Sequence, residues 1–99
     1  MAGGHAHPSW VHDVPWAIID LVPRTRDPYH QFGEWLRKTR DAIGLTQREL
    51  SVKMGRPTSF IGKVETAQRR LDIVEFEELA LALGVSPVKL YERFLRTRE

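Results

Sequence analysis

The sequence predicts an all-α fold of five short helices, preceded by an N-terminal extension. Three patterns lead to this prediction: apolar residues recur at helical spacing, capping residues precede the apolar stretches, and glycine or proline separates them. A hydrophobic fraction of 41% in 99 residues is enough for one modest core. We therefore predict an extension over residues 1–27 and a single helical domain over residues 28–99.

The first helix is predicted to begin at Asp27 and Pro28, an N-cap residue followed by the residue that suits the first helical position. The pattern extends to about residue 42. Apolar residues at helical spacing form one stripe along this helix, and they are Phe32, Trp35, Leu36 and Ile43.

The second helix has the most complete start signal in the chain. Thr46 is a good N-cap residue and Glu49 follows three residues later, which is the capping-box pattern. Leu45 and Leu50 flank this cap at the spacing of a hydrophobic staple. These residues predict a helix over residues 47–54.

A tight turn separates the second helix from the third. Gly55 suits the left-handed conformation that often ends a helix, and Pro57 prevents the second helix from continuing. The third helix is predicted over about residues 58–65. Its inner face is predicted to consist of Ile61 and Val64.

The last two helices carry the same kinds of signal. Asp72 and Glu75 form a second capping-box pattern, and Gly84 ends the fourth helix. Ser86 is the N-cap of the fifth helix and Pro87 its first residue. The predicted inner stripe of the fourth helix is Ile73, Phe76, Leu79, Ala80 and Leu83. The apolar side of the fifth is Leu90, Tyr91, Phe94 and Leu95.

Composition excludes several classes of function. The chain has no cysteine, which excludes disulfides and thiolate metal sites, and no apolar run long enough for a membrane span. Its start lacks a signal-peptide pattern, so a cytoplasmic protein is expected. The tail histidines, His5, His7 and His12, have no cysteine partners, and we predict no metal and no cofactor. No catalytic arrangement of side chains is recognisable, so we predict that the protein is not an enzyme.

Charge is distributed unevenly along the chain. Residues 37–70 contain nine basic and three acidic side chains, a net charge of +6, whereas residues 71–92 contain one basic and five acidic side chains, a net charge of −4. A basic face opposite an acidic one can orient a protein on a polyanion. The alternative is two ordinary solvated faces. Because the basic segment coincides with the second and third helices, the pattern favours DNA as the partner.

Several residues from the second helix onward carry a resemblance to a known family. They are Gln47, Leu50, Ser51, Met54, Gly55, Ile61, Val64, the segment 63–65, the segment 69–72, Phe76, Leu79, Ala80 and the segment 83–87. With these residues the chain resembles the Cro and lambda-repressor-like helix-turn-helix family, over roughly residues 32–95. The resemblance implies a five-helix lambda-repressor-like DNA-binding domain. The chain departs from the family pattern at Arg56 in the turn, at Gly62 in the third helix and at Ala67 in the following loop.

The resemblance implies that the third helix enters the major groove of DNA. Thr58, Ser59 and Lys63 are then the candidates for contacts with base edges. Phe60 either touches thymine methyl groups or packs in the core. Gly62 either allows the backbone to approach the groove floor closely or has no role.

Other residues are expected to contact the DNA backbone. In the family, the position of Gln47 binds a phosphate at the start of the second helix. The segment after the third helix would follow the next phosphates, and Arg56 would add a charge in the turn. The candidates in that segment are Thr66, Gln68, Arg69 and Arg70. Glu65 would repel phosphates, and we expect it to form an internal ion pair with Arg69 or Arg70.

The extension contains an apolar run over residues 16–22 between Pro15 and Pro23. We expect residues 14–23 to pack on their own domain or on a partner, and residues 1–12 to be mobile. Tyr91 and Leu95 form a second apolar pair on the fifth helix. They are predicted to form a homodimer interface, and the alternative is that residues 16–22 cover them.

The predicted function is a sequence-specific transcriptional regulator that binds double-stranded DNA. A repressor that binds a palindromic operator as a homodimer is the leading hypothesis. An antitoxin-like protein, with a protein partner bound through the extension, is the first alternative. A protein-interaction module that kept this fold without DNA binding is the second.

Overall fold

The computed structural model describes residues 27–98, and these form five helices without a strand. In chain order the helices are α1 (Pro28–Ile43), α2 (Gln47–Lys53), α3 (Phe60–Glu65), α4 (Ile73–Leu83) and α5 (Pro87–Thr97). The all-helical fold class is confirmed. The predictions for the N-terminal extension concern residues that lie outside the described ones, apart from Asp27. None of the described helices is long and apolar enough to cross a membrane.

The predicted starts of α2, α4 and α5 are confirmed in atomic detail. The Thr46 hydroxyl accepts a hydrogen bond from the Glu49 backbone N–H at 3.0 Å, and the Asp72 carboxylate accepts one from the Glu75 backbone N–H at 2.7 Å. In both cases the glutamate side chain accepts from the capping residue's backbone N–H, which completes the capping box. Ser86 caps α5 through the backbone N–H of Lys89 at 3.1 Å.

The start of α3 differs from the prediction. The helix begins at Phe60 rather than at residue 58, so Thr58 and Ser59 belong to the preceding turn. The Ser59 side chain makes no capping hydrogen bond. Instead, the hydroxyl of Ser51 in α2 accepts a hydrogen bond from the Ile61 backbone N–H at 3.0 Å. One of the free N–H groups at the start of α3 is thus capped by a side chain of the neighbouring helix.

Each helix contributes at least one fully buried aliphatic residue to the core. Aromatic rings surround this aliphatic centre, with Phe32 and Trp35 of α1 within 5.2 and 5.3 Å, respectively, of the Phe94 ring of α5, measured between ring centroids. The fully buried aliphatic side chains are Leu36, Leu50, Ile61, Leu79 and Leu90. This layer fixes the helix-turn-helix pair on α1, α4 and α5.

The prediction of the inner stripes is wrong for two residues. Ile43 at the end of α1 is 49% exposed, and Ile73 at the start of α4 is 85% exposed. Both have the correct helical spacing, but each lies at a helix end that extends past the core. Spacing defines the direction of a side chain and does not define whether another element covers it.

A close approach of two backbones holds α1 against α3. Gly33 in α1 faces the backbone carbonyl of Glu65 at the end of α3, and a Cβ atom built on Gly33 would lie 2.2 Å from that carbonyl oxygen. Only glycine permits this separation. In the loop that follows α3, Ala67 adopts a φ of 62°, in the left-handed region where the Cβ atom is unfavourable.

Candidate nucleic-acid interface

The exposed residues of α2, the turn, α3 and the following loop form the candidate DNA-binding surface. Thr58, Ser59 and Lys63 are all exposed, and they lie together where the turn enters α3 and on the outer side of that helix. No carboxylate of the described residues lies within 4.0 Å of the Lys63 ammonium. The three predicted base-reading residues are therefore accessible, and Lys63 keeps its charge available for an acceptor on a base edge.

A buried ion pair lies directly beneath this surface. The Arg40 guanidinium of α1 donates to Glu65 of α3 through Nε at 2.6 Å and through Nη2 at 3.1 Å. Both side chains are buried, and the hydrogen bonds to Glu65 raise the pKa of Arg40 above its ordinary value. The predicted partners of Glu65 were Arg69 or Arg70, and this prediction is wrong. The partner is 25 residues away in sequence.

Gln47 joins this ion pair from the start of α2. Its Nε2 atom donates to Glu65 Oε1 at 2.8 Å, so one carboxylate holds side chains from both α1 and α2. Gly62 makes room for this contact, because a Cβ atom there would lie 3.1 Å from the Gln47 Oε1 atom. The contact gives Gly62 a structural role that neither sequence-based interpretation had included.

Arg40 was not singled out from the sequence, although a signal was present. It lies seven residues after Gly33 and four after Leu36, on the same face of α1 as these two buried residues. A charged residue on a buried stripe requires an opposite charge. The sequence indicates that need but not the identity of the partner.

Two of the predicted DNA-contacting arginines are engaged inside the domain. Arg69 donates to Glu75 through Nη1 at 3.0 Å and Nη2 at 2.5 Å, and Arg56 donates to Glu78 at 2.6 Å. These bonds lower the pKa of Glu75 and raise that of Arg56. Glu78 of α4 is thus the hydrogen-bonding partner of Arg56. Both guanidinium groups are therefore less available to bind a phosphate.

Phe60 takes the core position of its two alternatives. Its side chain is 7% exposed, and the guanidinium groups of Arg56 and Arg69 lie 5.5 and 5.2 Å from the ring centroid. The two arginines thus cover the ring. Little of Phe60 is left for contact with a base.

The loop after α3 presents its remaining polar residues outward. Thr66 and Gln68 are exposed and hydrogen-bonded to each other, with Gln68 Nε2 donating to Thr66 Oγ1 at 3.0 Å. Arg70 is exposed as well, and its guanidinium stacks 4.0 Å from the ring centroid of Tyr29. Unlike Arg69, it forms no ion pair with another described residue. Arg70 is therefore the loop arginine whose charge is accessible.

The pair of helices, its buried support and its exposed outer face together define a helix-turn-helix. A family profile described as a helix-turn-helix domain matches residues 31–92, more than half of the chain. The chain belongs to the Cro and lambda-repressor-like helix-turn-helix family. Membership makes this protein a DNA-binding transcription regulator of the XRE type, and the family's role is DNA binding rather than catalysis.

Two solved structures resemble this chain. An XRE-family like protein from Pseudomonas syringae pv. tomato str. DC3000 is 37% identical, with a TM-score of 0.62 over 72% of this chain and 87% of that chain. The restriction-modification controller protein C.AhdI from Aeromonas hydrophila is 36% identical, with a TM-score of 0.56 over 78% of this chain and 97% of that chain. The comparison with curated proteins gave no match.

The two predicted dimer residues of this helix-turn-helix protein lie on the outer side of α5. Tyr91 is 50% exposed and its ring contacts Phe76 of α4, with centroids 6.1 Å apart. Leu95, one turn later, is half-buried. Leu90 and Phe94 face the core, as the spacing along α5 predicts.

Proposed function

We propose that this helix-turn-helix protein is a repressor that binds a palindromic operator as a homodimer. The observation that carries the proposal is the exposed group Thr58, Ser59 and Lys63 on a helix pair whose orientation is fixed by the buried Arg40–Glu65 ion pair. A rigid helix with free hydrogen-bonding groups at its start is suited to reading base edges in the major groove. The similarity to a restriction-modification controller supports a role in controlling gene expression.

The phosphate contacts are assigned to residues on either side of α3. Gln47 keeps its position through Glu65 and is exposed at the start of α2, while Arg70, Thr66 and Gln68 are exposed in the loop after α3. These contacts would fix the register of the protein on the duplex without reading sequence. Arg56 and Arg69 contribute less, because binding a phosphate would require them to leave Glu78 and Glu75.

Homodimerisation is proposed because one such domain reaches only a few base pairs. Two domains related by a two-fold axis would read half-sites about one helical turn, roughly 34 Å, apart. We assign the contact between protomers to the face of α5 that carries Tyr91 and Leu95. Changing both residues to serine should yield a folded monomer with much weaker operator binding, as measured by sedimentation and by titration of operator DNA.

The experiment that tests the function is selection of bound sequences from a random DNA pool. The proposal expects an inverted repeat with half-sites about 10 base pairs apart. Recovery of sequences without a common motif would contradict sequence-specific recognition. Recovery of a single, non-repeated motif would contradict the dimer and leave recognition intact.

Two variants then separate base contacts from phosphate contacts. Lys63→Ala should weaken binding to the selected site by about 1–3 kcal/mol and relax the base preference in each half-site. Arg70→Ala should weaken specific and random DNA alike and lower the salt slope by about one. Lys89→Ala, a change of an exposed lysine on the acidic side of the domain, is the control and should leave binding unchanged. Equal loss on both kinds of DNA would make Lys63 a phosphate contact instead.

A further inference from the structure

An apolar groove lies between the start of α1, the start of α4 and α5, away from the residues assigned to base reading. It encloses a volume of about 740 Å³. Phe32 and Phe76 lie at its floor, and the apolar residues at its rim are Tyr29, Ile73, Val88 and Tyr91. We call it the α1–α4–α5 groove.

The rim of this groove is unusually exposed for apolar side chains. Ile73 is 85% exposed and Val88 is 69% exposed, and they lie beside two half-exposed tyrosines. Single exposed apolar residues are common on protein surfaces, whereas a contiguous apolar patch around a cavity marks a binding surface. The groove is therefore expected to hold an apolar occupant.

We propose that the occupant is the apolar segment 16–22 of the same chain. The described chain begins at Asp27, and the next two residues, Pro28 and Tyr29, already line the groove. Residues 23–27 connect the segment to this edge and span at most about 17 Å when extended. The segment is thus tethered at the mouth of the groove and is long enough to reach along it.

The composition of the segment matches the groove. Six of its seven residues are apolar, including Trp16, and a proline stands on either side of it. A run of this kind has little reason to remain in water when an apolar surface is within reach. The bulky apolar side chains of the segment are suited to fill a cavity of this size, whose floor consists of two phenylalanine rings.

Charge also favours this occupant. Asp20 is the one polar residue of the segment, and Arg70 at the groove wall has no carboxylate of the described residues within 4.0 Å. Arg24 and Arg26 follow the segment, and the acidic residues Asp72 and Glu77 also line the groove. Each charge of the tethered segment therefore has an opposite charge at the groove.

Tethering distinguishes this occupant from a second copy of the protein. A short covalent tether gives an effective concentration in the millimolar range, so docking with a dissociation constant of about 0.1 mM would already be nearly complete. A second protomer at micromolar concentration would need far higher affinity to compete. The groove shares Arg70 with the proposed phosphate contacts and Tyr91 with the proposed dimer face, but none of the base-reading residues line it. The proposal does not depend on the proposed operator.

The test measures the accessibility of Trp16 in the full-length chain. Trp10→Phe leaves Trp16 and the core residue Trp35 as the only tryptophans, and Trp35 is 9% exposed. Acrylamide quenching of fluorescence then reports mainly on Trp16. In this background, Ile73→Ser with Val88→Ser should increase the quenching constant several-fold, toward the value in denaturing urea.

The matched control is Val74→Ser with Leu81→Ser, which changes two apolar residues that are 60% and 67% exposed and do not line the groove. This control should leave quenching unchanged, and circular dichroism should show all variants folded. Equal quenching in the groove variant and the control would overturn the proposal. Shielding of Trp16 that disappears on dilution, together with a dimer seen by sedimentation, would also overturn it and assign the groove to a second copy. Tyr91 is left unchanged because it belongs to the proposed dimer face.

Discussion

The domain has two halves, and the contacts within one half differ in kind from the contacts within the other. In the half formed by α1, α2 and α3, buried polar groups join the helices: Arg40 and Gln47 meet at Glu65, and the Ser51 hydroxyl caps Ile61. In the half formed by α4 and α5, aliphatic and aromatic side chains supply the packing, and apolar residues such as Ile73 remain exposed at its edge.

The difference teaches which half must keep a fixed orientation. Hydrogen bonds and ion pairs are directional, so they hold one helix at a defined angle to the next, whereas apolar packing is not directional and tolerates adjustment. The half with polar contacts carries the base-reading candidates. The apolar half carries the groove and the proposed dimer face, where a partner surface can complete the packing.

The largest effect is expected when the buried ion pair is broken. Glu65→Ala leaves the Arg40 guanidinium buried without its carboxylate, and loss of one partner in a buried pair costs about 3–5 kcal/mol. Urea unfolding measures this loss. Arg40→Met with Glu65→Met should be less destabilised than Glu65→Ala alone, since no charge is then left unpaired. A Glu65→Ala variant as stable as the parent would contradict the role given to polar contacts.

A slightly smaller effect is expected at the contact between the α1 and α3 backbones. Gly33→Ala places a methyl group 2.2 Å from the Glu65 carbonyl oxygen, and the two helices must separate. We expect a loss of about 3 kcal/mol in the free energy of unfolding. Helix propensity alone predicts a gain of about 1 kcal/mol, so even the sign of the change is informative.

Gly62→Ala is the comparison for this variant. There the new methyl group meets only the end of the Gln47 side chain at 3.1 Å, which can rotate away. Its stability should change little, while the position of Gln47 changes. Equal effects of the two substitutions would show that close backbone approach is not what restricts Gly33.

The contact between the two halves should depend on pH. Hydrogen bonds from Arg69 and from the Asp72 backbone hold the pKa of Glu75 below its ordinary value of 4.5. The ionised carboxylate therefore stabilises the fold above that value, and the stabilisation is lost as pH falls through the lower, folded-state pKa. Glu75→Gln should lose less stability than the parent between about pH 5 and pH 3. Glu77→Gln, at an exposed position of the same helix, should keep the parental pH dependence.

The smallest effect is expected in the loop that joins the halves. Ala67 has a φ of 62°, and the left-handed conformation costs a non-glycine residue roughly 1–2 kcal/mol. Ala67→Gly removes that cost and loses part of the gain to the greater freedom of the unfolded chain. A net increase of about 0.5 kcal/mol in unfolding free energy is expected from thermal or urea unfolding. A decrease would mean that the Ala67 methyl group makes a contact worth more than the strain.

Features that depend on neighbouring residues in sequence were predictable. The capping boxes at Thr46 and Asp72 and the glycine at the end of α4 rest on contacts within three or four residues, and the structure has them as predicted. The presence of a turn between α2 and α3 and the outward position of Lys63 follow from the same local patterns. The fold class could be derived because these local signals agree with one another.

Features that depend on distant residues were not predictable in the same way. The Arg40–Glu65 pair and the Gly33 contact each join positions far apart in sequence, and no local pattern selects the partner. The exposure of Ile43 and Ile73 depends on where the core ends. The later start of α3 has a similar origin, because its cap comes from Ser51 in another helix.

That borrowed cap has a consequence for how binding preference can change. A helix that depends on its own first residues for capping restricts those residues to a few types. Here Ser51 performs the capping of Ile61, so Thr58 and Ser59 are released from that requirement. Under the proposed function, substitution at these two positions can change the operator preference at little cost to folding, and the same scaffold can diversify into regulators of different sites.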